Sequence, residues 1–211
     1  MARGWLRSFG GASILGGVLT VLVNVPSTWY GLEPRDSYVF DPPPLSPLWI
    51  NRELVPVLSV AAAIGLLLGV VGLVRRDWSV AGRARRWGGV GVVVAFVGVT
   101  VAVPALLYSL RDPAGGVLLT FAGLGVGALS LLVLVPSAIL LAYGYLKTDR
   151  PRLGYAFVGL LVGVPVLGFV VPEPTKAPVA ALPIAVAWGV LGVELFRHPD
   201  PLSGGGNGNE R

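Results

Sequence analysis

Six uninterrupted apolar runs dominate this chain, at about 9–29, 54–74, 88–108, 117–146, 153–171 and 178–196. A helix on the surface of a soluble domain interrupts such runs with polar residues at every third or fourth position, whereas runs of roughly 18 or more apolar residues are long enough to cross a bilayer. The pattern therefore predicts an all-α membrane protein, a bundle of six transmembrane helices. Five runs are close to the ~20 residues that span the hydrocarbon. The fourth would reach about 45 Å at 1.5 Å per residue, so it must tilt, kink at Pro136 or extend into the interface. Splitting it would leave two pieces too short to span. Composition settles the choice against a soluble fold: 13% of residues are charged and 54% hydrophobic, against about 25% charged in soluble domains.

The basic residues orient the stack. With the N-terminus inside, the segments 1–8, 75–87, 147–152 and 197–211 face the cytoplasm and carry twelve of the sixteen lysines and arginines. The other four are Arg35, Arg52, Arg111 and Lys176, on the outside. Lysine and arginine accumulate on the cytoplasmic side of membrane proteins, so both termini are expected there, in a cell-membrane protein. Trp5, Trp29, Tyr30, Trp49, Trp87 and Tyr108 fall near span ends, where aromatic belts form. Arg3 and Arg7 precede the first apolar run as in a signal peptide, but no A-x-A-like site follows and Pro26 stands where cleavage would occur, so this run reads as a retained anchor.

Local signals mark the helix ends. Ser46-Pro47 and Asp112-Pro113 each place a capping side chain before a proline, whose missing N–H is harmless at the first helical position. The second helix is thus expected to begin early, near Pro47, and to bend at Pro56. The outside segment from Tyr30 to Glu53 contains Asp41-Pro42-Pro43-Pro44, which favours an extended polyproline conformation. From Pro201 the chain is polar and glycine-rich and reads as a flexible tail. Phe9-Gly10-Gly11…Val25-Pro26…Tyr30 and Trp87-Gly88-Gly89…Val103-Pro104…Tyr108 share one spacing, and spans two, four and six all end in basic residues followed by aspartate. Three αα-hairpin repeats would produce this pattern, as would frequent Gly, Val and Pro combined with the positive-inside bias.

Few residues carry chemistry. The chain has no cysteine and one histidine, His198, which excludes disulfides, thiolate metal sites and bis-histidine haem within the chain. His198 and Asp200 lack a nucleophile or metal partner in the sequence and read as solvated residues. Of ionisable groups only Glu194 falls inside a predicted span, three residues before Arg197, where an ion pair at the interface is expected. Asn24 is expected to hydrogen-bond to a neighbouring helix. Arg83, Arg85 and Arg86, beside Trp78 and Trp87, are candidates for contact with anionic lipid headgroups, although arginines there also serve as topology determinants. Every span contains a proline (Pro26, Pro56, Pro104, Pro136, Pro165 and Pro183), five of them towards the outer half. Gly65-x3-Gly69, Gly123-x3-Gly127 and Gly159-x3-Gly163 offer small faces for packing, within the chain or between copies.

No phosphate loop, dinucleotide fingerprint or metalloprotease motif is present. The expectation is a protein without enzymatic activity or cofactor, an accessory or structural subunit of a membrane complex. The alternative is a small-solute permease or channel subunit. Expected partners are the lipid bilayer and other membrane subunits or further copies of the chain, and not nucleic acid.

Overall fold

The computed structural model describes residues 2–26, 44–46, 49–109, 116–148, 151–172 and 175–199, and no strand occurs among them. Six long helices follow one another among these residues: α1 (Ala2–Leu22), α2 (Val55–Asp77), α3 (Arg83–Ser109), α4 (Gly116–Leu146), α5 (Arg152–Val170) and α6 (Lys176–Arg197). Each is long and apolar enough to cross a bilayer, one helix for each apolar run. α4 has 31 residues and continues through Pro136, about 46 Å of helix by rise per residue.

The boundaries shift at the charged ends. α1 already contains Arg3 and Arg7, α2 continues through Arg75, Arg76 and Asp77, and α3 opens on Arg83, so only residues 78–82 connect α2 to α3. Charge limits the hydrocarbon-compatible stretch but not the helix, because arginine reaches the interface on a long apolar stem while its backbone stays helical. The early start of the second helix is present. Trp49 N–H donates to Ser46 Oγ at 3.2 Å, the capping bond expected of that serine, and Ile50 N–H donates to Ser46 O at 2.9 Å. Ile50–Leu54 then forms one wide turn, closed by Val55 N–H on Ile50 O, and runs into α2 with Pro56 in its first turn. Asp112-Pro113, Trp29, Tyr30, Pro42-Pro43 and the tail from Pro201 lie outside the described residues.

The helices form a ring in chain order that α1 closes by packing on both α2 and α6. α1, α3 and α5 start, and α2, α4 and α6 finish, at the same end, which we call the basic end. Small residues set the close approaches. Gly65 and Gly69 both face α1, against Gly16 and Ser13. Gly123 and Gly127 face Leu106 and Ala102 of α3, and Gly163 faces Pro183 of α6, while Gly159 is open. Two of the three glycine motifs thus pack within the chain. Gly10 meets Gly192 of α6, whereas Gly88 meets Ser137 and Leu141 of α4, so these two glycines, aligned by the repeat pattern, contact different neighbours.

The core is one-sided. The largest fully buried side chains of α2–α6 (Trp188, Tyr145 and Phe157, with Leu73, Leu141 and Leu195 among the aliphatics) all lie in the half of their helix nearer the basic end. Towards the other end, buried positions are small, such as Ala102, Gly123, Ser130 and Ala181. Around the outside, Leu118, Phe121, Leu132 and Phe169 project freely. A soluble surface would not tolerate so large an apolar area, but hydrocarbon solvates it.

Candidate functional site: a charge cluster at the basic end

Uniformly apolar helices can hide charge only where it is paired, because an isolated buried ion carries a large desolvation penalty. The last turn of α2 does this. Arg76 and Asp77 are adjacent in sequence and are 4% and 2% exposed. The guanidinium grips the carboxylate with two prongs, Nε to Oδ1 at 2.7 Å and Nη2 to Oδ2 at 3.0 Å. Tyr145, at the end of α4, donates its hydroxyl to Asp77 Oδ2 at 2.5 Å. Arg76 Nη1 reaches His198 O, just past α6, at 3.3 Å. Three helix ends are therefore tied by one ion pair.

α3 joins through Arg85, which is 8% exposed. Its Nη2 donates to Val80 O at 3.1 Å and its guanidinium lies 5.7 Å from the centre of the Tyr145 ring. Glu194 is also buried. The expected partner of Glu194, Arg197, is exposed on the next turn. The carboxylate of the expected pair thus lies inside the bundle and the arginine at its surface. The reason is rotation: position 194 lies on the inward face of α6, with Leu191 and Leu195.

The other sequence candidates scatter. Asn24 Nδ2, just past α1, donates to Thr20 O in its last turn at 2.7 Å, so part of its bonding capacity is used within its own segment of chain. Arg83 and Arg86 are exposed on the first turn of α3, and Arg86 lies 5.7 Å over the Trp78 ring. His198 caps α6, its N–H on Glu194 O at 2.9 Å, and Asp200 lies outside the described residues. Among the described residues no group of His, Asp or Glu is placed to hold a metal ion.

Sequence reasoning missed a second set of polar ties at mid-bundle. Ser13 Oγ of α1 donates to Trp188 O of α6 at 2.8 Å, and Trp188 Nε1 donates to Leu66 O of α2 at 2.8 Å. Phe96 and Phe157 pack on the same indole, with ring centres 5.1 and 6.2 Å away. Trp188 of α6 thereby contacts α1, α2, α3 and α5. Trp188→Phe keeps a six-membered aromatic ring but removes the pyrrole ring and its N–H bond. It should cost about 1–2 kcal/mol in a reversible detergent unfolding titration, and Trp188→Ala about 3–5 kcal/mol.

Fold and site together define a class: a multi-pass helical membrane protein whose buried charged groups gather at one end of the bundle. No family model matches the chain, and no curated protein or solved structure is similar to it at a significant level.

Proposed function

We propose that this chain is a non-enzymatic accessory or structural subunit of a membrane complex, held in the cell membrane with both termini in the cytoplasm. The observation that carries the reading is the filled centre of the bundle. Trp188, Phe96 and Phe157 occupy it, and Arg76, Asp77 and Tyr145 satisfy one another below it. Charged groups used up in mutual bonds serve cohesion, and an apolar exterior without chemistry of its own suits a packing role. Twelve of sixteen basic residues on one side support the orientation. Because the chain lacks cysteine, single substitutions test this in intact cells. A membrane-impermeant maleimide should label Ser37→Cys and spare Ser79→Cys, and the opposite result rejects the orientation.

A second reading, a small-solute permease, draws on the one-sided core. Five of the six span prolines occur towards the thinly packed end, where helices with interrupted hydrogen bonding can part around a solute. The three-hairpin repeat belongs to this reading too, supported by a ring that closes in chain order. Native mass spectrometry after gentle extraction separates the two. A hetero-complex of fixed stoichiometry supports the accessory role, and a homo-oligomer that moves solute in proteoliposomes supports the permease. A monomer with neither property rejects both.

A further inference from the structure

Three arginines, at 83, 85 and 86, stand in the first turn of α3, with no acidic residue among them. This is the wrong sign for the position. Helix N-termini carry partial positive charge from unpaired N–H groups and favour anions. Among the described residues the nearest acid does not relieve the excess, because the Asp77 carboxylate is already engaged by two nitrogens of Arg76 and by the Tyr145 hydroxyl.

Arg85 makes the imbalance specific. It is more than nine-tenths buried, and its Nη1 has no hydrogen-bond partner among the described residues. A buried guanidinium nitrogen left unbonded is costly, and such groups in native proteins call for a ligand, a water or an ion. Arg85 lines a recess of about 10 Å³ between α2, α3 and α4, with Asp77, Trp78, Ala81, Arg86 and Tyr145 among its walls. That volume holds about one oxygen atom. At the rim, Arg86 lies over the half-exposed Trp78 ring. The recess sits where an apolar span ends, which in the proposed orientation is the depth of lipid headgroups.

We propose that this recess is a binding site for the phosphate of an anionic phospholipid. One phosphate oxygen enters to accept from Arg85 Nη1, Arg86 holds a second at the rim, and the glycerol and acyl chains run outward past Trp78 onto the apolar exterior of the bundle. A lipid suits the site better than a free anion because only one oxygen fits inside, so the rest of the ligand must lie outside, beside Trp78 and the hydrocarbon. This inference goes beyond the proposed function and holds for either reading of it.

The test compares variants that remove the same charge. The full chain, purified in zwitterionic detergent, is titrated with phosphatidylglycerol, phosphatidylcholine or inorganic phosphate, with bound lipid read by native mass spectrometry. One phosphatidylglycerol should be retained. Arg85→Gln should weaken it about ten-fold or more, the scale of a lost charge-assisted hydrogen bond, and Arg83→Gln by less than about three-fold, the scale of diffuse attraction. Equal weakening by both variants overturns the site, as does equal retention of phosphatidylcholine, which leaves the recess to a water molecule. Displacement of the lipid by millimolar phosphate overturns the choice of a lipid ligand. If Arg85→Gln does not fold, Arg85→Lys and the exposed-rim variant Arg86→Gln replace it. Each should bind several-fold more weakly than Arg83→Gln, and parity with Arg83→Gln rejects the proposal.

Discussion

Replacing Asp77 with alanine should destabilise the bundle by about 3–5 kcal/mol, the cost of stripping one partner from a buried ion pair. The magnitude follows from what remains. Arg76 would keep only the 3.3 Å bond to His198 O, at a position 4% exposed. The Tyr145 hydroxyl would lose its acceptor as well, so α4 would loosen with α2. Tyr145→Phe removes only one hydrogen bond and should cost about 1–2 kcal/mol. The double variant Arg76→Met/Asp77→Ala should recover much of the loss, because removing both charges also removes the desolvation penalty of the survivor. Unfolding midpoints in mixed micelles, followed by tryptophan fluorescence, give the full double-mutant cycle. A near-neutral Asp77→Ala would show that water reaches the cluster and that it does not hold the helix ends together.

How much of this was readable beforehand depends on what sets each feature. The spans were legible because bilayer thickness imposes a length on an apolar run: the fourth was expected at 117–146 and is Gly116–Leu146. Their charged ends were not, because arginine stops the apolar run while the helix continues beneath it. The cap at Ser46 was legible from local chemistry alone. The charge cluster was not. Asp77 and Tyr145 are 68 positions apart, and pairing at that distance depends on how each helix is rotated about its axis. In a soluble helix the alternation of polar and apolar residues reveals that rotation, but a helix apolar on every side carries no such mark. Hence Arg75 is exposed and Arg76 buried, and Arg83 and Arg86 are exposed around a buried Arg85, though each residue resembles its neighbours in sequence. An aspartate within an arginine-rich span end, in the Arg75-Arg76-Asp77 sequence, was the one local hint, since an acid there gains little except from a partner.

Gly16→Val should detach α1 from the bundle at a cost of about 2–3 kcal/mol, the upper range for overpacking a well-filled contact. A Cβ on Gly16 would stand 2.7 Å from Leu66 N and 2.8 Å from Gly65 C, both backbone atoms of α2. The reciprocal contact is as tight: a Cβ on Gly65 would meet Ala12 O at 2.7 Å and Gly16 Cα at 2.8 Å. Backbone cannot rotate aside as a side chain can, so the two helix axes must separate. Separation matters more here than in water, because lipid offers no hydrophobic drive to hold the helices together and association depends on close packing and hydrogen bonds. It would also strain the contact of α1 with α6, where a Cβ on Gly10 would stand 2.7 Å from Gly192 O and Ser13 bonds Trp188 O. Loss of that bond would propagate to the central tryptophan. Gly11 supplies the control, since it is exposed and a Cβ there meets nothing within 4 Å. Gly11→Ala should be neutral or stabilise the helix by up to about 1 kcal/mol. Thermal unfolding of the three proteins in one detergent decides the matter. Equal stability of Gly16→Val and the parent chain would mean that α1 is not seated against α2 as described, and that the ring is closed some other way.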